Sequence, residues 1–269
     1  MKNKLDLLFE NKKENVLNVY CTAGYPAVDS TATILQALQQ SGADIIELGM
    51  PYSDPIADGP VIQNSNMAAI QNGMTIELLM QQLAEVKPKM HIPIILMGYL
   101  NPVLQYGFEK FCKQAAAVGI SGLILPDMPM PEYNQLYKNI FEKYQLYPIF
   151  LITPQTSDER IKKADKLSRG FVYAVSSAST TGNNNAAGGQ QAYFEKLQKM
   201  KFKNPVLIGF GIHDNHSFIN ACKYANGAII GSAFINKLSH STDVTQTTAD
   251  FVKAILAPVR SEDAAVVQH

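Results

Sequence analysis

The chain has 269 residues, and its 23 Lys and Arg balance its 23 Asp and Glu, for a formal net charge of zero. That balance speaks against a large basic surface for nucleic acid or for an anionic membrane. Cys21, Cys112 and Cys222 form no Cys-x-x-Cys pair, so neither a zinc site nor a disulfide framework is indicated, and a reducing compartment suits them. The apolar run behind Lys2 and Lys4 stops at Glu10, too short for a signal peptide. No stretch approaches the ~18 apolar residues of a membrane helix. A cytoplasmic protein is expected. With no Ser/Gly-rich linker and no break in composition, residues 1–269 are expected to form one domain, with 261–269 as a frayed tail.

Short apolar runs alternate with longer amphipathic stretches. In chain order, 16–21 reads as a buried strand, 30–40 as a helix, 44–48 as a strand, 76–86 as a helix and 92–97 as a strand. The helix 108–117, strand 122–125, helix 132–144, strand 147–152, helix 158–167 and strand 171–175 follow. The helix 193–200, strand 205–209, helix 215–223, strand 228–230 and a last helix near 249–256 complete the series. Asp29-Ser30 can cap the first of these helices, Gly42 ends it, and Gly119 ends 108–117.

This alternation predicts a parallel sheet with crossover helices. Eight repeats in ~250 residues is the size of a (β/α)8 TIM barrel. A doubly wound open sheet is the rival, but it carries a Gly-x-Gly-x-x-Gly turn after its first strand. Here that strand runs into Thr22-Ala23-Gly24-Tyr25-Pro26, which lacks the fingerprint, so the barrel is preferred. A barrel places its chemistry at the C-terminal strand ends. Those ends carry Tyr20 and Thr22, Glu47, Tyr99 with Asn101, Asp127, Thr153, Ser176, Gly209 with Gly211, and Gly231 with Ser232.

Glu47 stands at the end of an apolar strand, where Val or Ile is the ordinary residue. It shares a face with Ile45, so if Ile45 points into the barrel, Glu47 points into its mouth. Burial raises a carboxyl pKa and suits it to give and take protons near neutral pH. The alternative is a structural acid paired with a base, but the adjoining loops hold no Lys or Arg. Asp58 sits eleven positions on, in Ala-Asp-Gly-Pro, a turn composition. On local grounds it is as readily a turn former as an active acid.

Gly209-Phe210-Gly211-Ile212 and Gly231-Ser232-Ala233 follow the seventh and eighth strands. Glycines there let backbone N–H groups approach an anion, and a helix starting near Ser232 adds its positive end. These two loops are the usual phosphate position of the fold, and an amide cradle suits a neutral chain. Simple turn geometry is the bland alternative. The small, polar segment 176–189 is too long for a tight turn and reads as a mobile lid or as plain disorder. His91, His213, His216, His240 and His269 show no ligand spacing, so no metal is expected. No Gly-x-Ser-x-Gly elbow appears.

The segment Glu47-Leu-Gly-Met-Pro-Tyr-Ser-Asp-Pro-Ile-Ala-Asp-Gly-Pro60 resembles the signature of the tryptophan synthase alpha subunit family. The resemblance extends over nearly the whole chain. It includes Tyr20-Cys-Thr-Ala-Gly-Tyr-Pro26, Met97-Gly-Tyr-Leu-Asn-Pro102, Leu125-Pro-Asp-Met-Pro129, Thr181-Gly182, Gly209-Phe-Gly211 and Gly231-Ser232. It implies a (β/α)8 barrel lyase that cleaves indole-3-glycerol phosphate to indole and glyceraldehyde 3-phosphate, without a cofactor of its own. It further implies a beta subunit that carries pyridoxal phosphate, receives the indole through a tunnel and assembles with this chain as an α2β2 heterotetramer.

By the same resemblance Glu47 matches the catalytic glutamate, acting as both acid and base, and Asp58 the aspartate that holds the indole N–H. Tyr20, Tyr99, Asp127, Tyr173, Thr181 and Gly182 fall at substrate positions, with Thr181 orienting the aspartate. Gly209, Phe210, Gly211, Gly231 and Ser232 fall at the phosphate, and 51–55 at a contact with the beta subunit. The chain departs from many members in Ser177-Ala-Ser179, where they carry a glycine-containing segment, and in Tyr20, often Phe. A sugar-phosphate isomerase of the same fold would leave the 47–60 loop unexplained. A non-catalytic activator of a beta subunit would have no use for Glu47, Asp58 and Thr181.

Overall fold

The computed structural model describes residues 2–176 and 186–258. Nine parallel strands form one curled sheet: β1 (Val16–Thr22), β2 (Ile45–Gly49), β3 (Ile94–Met97), β4 (Gly122–Ile124), β5 (Tyr147–Pro148), β6 (Leu151–Ile152), β7 (Val172–Val175), β8 (Val206–Gly209) and β9 (Gly227–Ile230). Their spatial order is β5-β4-β3-β2-β1-β9-β8-β7-β6. The two ends of that order, β5 and β6, are consecutive in the chain and are joined only by Ile149 and Phe150.

The expected fifth strand, 147–152, is thus two short pieces. The first pairs with β4 and the second with β7. The Ile149 N–H still donates to the Leu123 carbonyl at 3.1 Å, and the Phe150 carbonyl accepts from Tyr173 N–H at 3.1 Å. One extended segment therefore closes the ring, and the fold is the eight-membered barrel that the alternation predicts.

Period-two alternation sorts the strand side chains into two cores. Leu17, Val19, Ile46, Leu48 and Leu96 face outward against the helices. Val16, Ile45, Ile95, Ile124, Phe171, Leu207 and Ile229 fill the barrel. The lower end is closed by helix Lys4–Asn11, absent from the sequence reading, which buries Leu5 fully and sets Phe9 against Phe171 at 6.4 Å between ring centroids.

Several helices match the expected bounds, including Ile76–Val86, Phe108–Ala117 and Asp158–Leu167. Gly42, at φ 102°, ends Ser30–Ser41 as expected, but the Asp29 side chain makes no cap bond. The Ser30 hydroxyl instead accepts from the Ala27 N–H at 3.3 Å. The expected helix 132–144 is broken into Met130–Glu132, a π-helical turn Tyr133–Tyr137, and Lys138–Lys143.

Candidate active site

At the C-terminal end of the strands lies a cavity of about 330 Å³. Each wall is set by strand register. In β1 and β2, Tyr20 pairs with Glu47, so both side chains enter the barrel at one level. Gly49 leaves room for the Tyr20 ring: a Cβ there would stand 2.1 Å from its hydroxyl. Gly209 does the same for Tyr173, whose hydroxyl would lie 2.5 Å from an added Cβ.

Glu47 is 1 % exposed. Its one partner among the described residues is Asn18, whose amide donates to Oε2 at 3.1 Å. Burial pushes its carboxyl up to about 8, the Asn18 bond pulls it back somewhat, and the charge of Asp58 raises it further. Asn18 was missed by the sequence reading. The signal was available, because an asparagine in an apolar strand, two residues before Tyr20, must share the inward face.

Asp58 arrives from a loop. Gly59 precedes helix Pro60–Gln71, with proline in its first turn, where a missing N–H costs nothing. The Ala-Asp-Gly-Pro turn is therefore a helix start that holds Asp58 at its entrance. Burial pushes the Asp58 carboxyl up to about 6, and a bond from Tyr99 opposes that shift. The Tyr99 hydroxyl donates to Asp58 Oδ2 at 3.1 Å and accepts from the Ala57 N–H at 3.0 Å, so one phenol fixes both the acid and its loop. Tyr52 packs against the Tyr99 ring at 5.2 Å.

The cavity brings together Tyr20, Glu47, Asp58, Tyr173, Phe210, Gly211, Gly231 and Ser232 from the expected set. Ile212 and Ala233, from the two glycine-bearing turns, line it too, as does His213 beside them, to which the sequence assigned no role; Ile62, Met97, Ile229 and Asn236 complete the wall and were not anticipated. Gly209 lies behind Tyr173. Tyr99 stands behind Asp58, outside the lining. Asp127 is also outside it, because its two carboxylate oxygens accept the Leu100 N–H at 2.9 and 3.0 Å at the start of helix Leu100–Tyr106. Thr181, Gly182 and most of the expected lid lie outside the described residues.

At the other pole of the cavity Phe210 and Gly211 both take left-handed backbone, at φ 67° and 75°. Helix Ser232–Ser239 begins beside them, with Gly231 and Ser232 at its N-terminus. Exposed N–H groups and the positive helix end make this pole suitable for an anion. Among the described residues there is no cluster of three metal-ligating side chains, and no helix is long and apolar enough to cross a membrane.

Fold and cavity define a class: a (β/α)8-barrel enzyme with two acids at one pole of its cavity and a pole suited to an anion at the other. The sequence profile described as tryptophan synthase alpha chain matches residues 8–264. The tryptophan synthase alpha chain of Flavobacterium johnsoniae is 53% identical over 235 residues, covering 87% of this chain and 92% of its own. That of Bacteroides fragilis is 44% identical over 255 residues, covering 94% and 97%. The crystal structure of tryptophan synthase subunit alpha from Legionella pneumophila superposes with a TM-score of 0.83 at 31% identity, covering 95% of this chain and 97% of the other. A chain of the aminoacrylate-bound tryptophan synthase of M. tuberculosis does so at 0.83 and 30%, covering 96% and 100%. The chain belongs to the tryptophan synthase alpha chain family. It is a lyase of tryptophan biosynthesis.

Proposed function

We propose that this chain cleaves indole-3-glycerol phosphate to indole and glyceraldehyde 3-phosphate, with Glu47 and Asp58 at the indole and the 209–211 and 231–232 turns at the phosphate. The observation that carries this reading is the pair of acids on one cavity with carboxyls held at about 8 and about 6. Between those values Glu47 keeps its proton while Asp58 is ionised. Two like groups pushed apart in this way divide acid and base roles.

The steps balance as proton transfers. The Glu47 carboxyl gives its proton to C3 of the indole ring, and the Asp58 carboxylate accepts the indole N–H and stabilises the positive charge that develops. The bond from C3 to the hydroxyl-bearing glycerol carbon then breaks, and its electron pair returns to the ring. The hydroxyl proton passes to the Glu47 carboxylate, which restores the acid, and the oxygen is left as the aldehyde of glyceraldehyde 3-phosphate. Tyr20, Tyr173 and Met97 flank the space for the planar ring. These transfers use side chains and need no cofactor. The reading assigns pyridoxal phosphate to a beta-subunit partner and none to this chain.

That partner, in an α2β2 heterotetramer in the cytoplasm, is the second half of the reading. The loop that carries Asp58 supports it, because Ile56 is 86% exposed two residues from the acid. An apolar side chain so exposed on a functional loop suits a protein contact. The test is indole release from indole-3-glycerol phosphate, with and without a cognate beta subunit. Release that depends on Glu47 and rises several-fold with the partner is expected. Partner binding without any indole release would turn the reading to a non-catalytic activator.

A further inference from the structure

We infer that Ser176 and His213 are positioning residues of the anion cradle, each tying down one carbonyl of the 209–211 turn and so aiming the next N–H at the phosphate. This rests on the reading of that turn as a phosphate site.

Phe210 is left-handed, a backbone state that side chains with a Cβ seldom adopt and that persists only where surrounding groups hold it. Two side chains supply the hold. Ser176, 2 % exposed at the end of β7, donates its own N–H to the Gly209 carbonyl at 2.9 Å and its hydroxyl to the Phe210 carbonyl. His213 sets Nδ1 at 2.9 Å from the Gly211 carbonyl. A carbonyl only accepts, so Nδ1 carries the hydrogen.

In a trans peptide the C=O and the following N–H point in opposite directions. Pinning the Phe210 oxygen to Ser176 therefore turns the Gly211 N–H away from Ser176. Pinning the Gly211 oxygen to His213 turns the Ile212 N–H away from His213. Gly211 and Ile212 both line the cavity, and among the described residues no acceptor is bonded to either N–H. Two adjacent amide donors, without partners and held by their carbonyl sides, form half a cradle for a phosphate group. No Lys or Arg stands among the described lining residues, so amide direction carries much of the binding there.

The experiment uses the full chain and two readouts, inorganic phosphate affinity by calorimetry and the kcat and KM of indole release. Ser176→Ala and His213→Ala should each weaken phosphate binding and raise KM by roughly five- to tenfold, the effect of one hydrogen bond, with kcat within about twofold. Ser176→Thr keeps the hydroxyl, and His213→Asn places an amide nitrogen where Nδ1 stood, so both should restore affinity. Unchanged affinity and KM in both alanine variants, with thermal melts like the parent's, would overturn the inference. Ser232→Glu separates this from failure of the cradle itself. A carboxylate at that helix start should abolish phosphate binding, and retained binding would sink the cradle reading. Loss in Ser232→Glu with no loss in the two alanine variants would sink the inference alone.

Discussion

Two buried carboxylates sit at opposite ends of this barrel. Asp165, 9 % exposed, lies near the lower end and accepts the Lys203 N–H at 2.8 Å, the Asn204 N–H at 3.0 Å and the Asn204 amide at 3.0 Å. Glu47, more deeply buried, accepts one bond among the described residues, from Asn18. A carboxylate surrounded by donors ties neighbouring backbone together as part of the framework. One that is desolvated with a single donor keeps its proton to higher pH and has it to give. Burial alone does not mark an active acid, and the count of donors around it separates the two.

The sharpest way to break this contrast is Glu47→Gln. Indole release should fall by about a thousandfold or more, since in the proposed reaction one residue gives and takes the proton. Stability should move the other way. Burial pushes the Glu47 carboxyl from its ordinary 4.5 up to about 8 in the folded chain, so the folded chain holds an extra proton between those values, and its stability declines as pH rises through that window. The glutamine variant lacks this loss. Denaturant melts should show the two proteins alike below pH 4.5 and the variant gaining by about 1.4 kcal/mol per pH unit up to pH 8. A variant with parent-like turnover would remove Glu47 from the chemistry.

Asp58→Asn comes next, with a loss of about a hundredfold or more from a missing charge at the developing cation. The parent's kcat/KM should be bell-shaped, falling below about pH 6 as Asp58 gains its proton and above about pH 8 as Glu47 loses its own. In the asparagine variant the acid limb at about 6 should vanish, and the alkaline limb should remain but move to lower pH, because the Asp58 charge that raises Glu47 is gone. A persistent acid limb would assign it to another group.

At the other end of the comparison, Asp165→Ala should cost about 2–3 kcal/mol by stranding three donors, with kcat of the folded fraction unchanged. Lost turnover without lost stability would erase the distinction between the two acids. The smallest effect is expected from Tyr99→Phe. Its bond lowers the Asp58 pKa, so its removal should shift the acid limb upward and reduce activity at pH 6 more than at pH 7.5. An unmoved limb would leave Tyr99 with a purely structural part.

Much of this was legible in the sequence because barrel strands follow a strict rule. An apolar run that ends in Glu announces a side chain the core does not want, and Ile45 shows which face it takes. Asn18 obeys the same rule and could have been found by it. Asp58 could not, since its approach depends on where Pro60 starts a helix and on a tyrosine forty-one residues away. Tyr99 and Asp127 were placed at the correct strand ends, but which way each turns was decided by partners that sequence separation hides, the Asp58 carboxylate and the Leu100 N–H. The helices Lys4–Asn11 and Leu100–Tyr106 escaped notice because they are short, and the second carries a proline. The break in 130–143 follows Pro129 and Pro131 less than it follows packing, with Tyr133 edge-on to both Phe141 and Phe150.

The divided fifth strand has a mechanical meaning. Every other seam of the ring is a ladder of three to five paired residues, whereas β5 and β6 hold their neighbours by two pairs each. The belt is thinnest at its buckle. A chain fastened this way has two arcs, one running from β1 to β5 and carrying both acids, the other from β6 to β9 and carrying the turns proposed to cradle the anion. The substrate that spans the cavity would also tie one arc to the other.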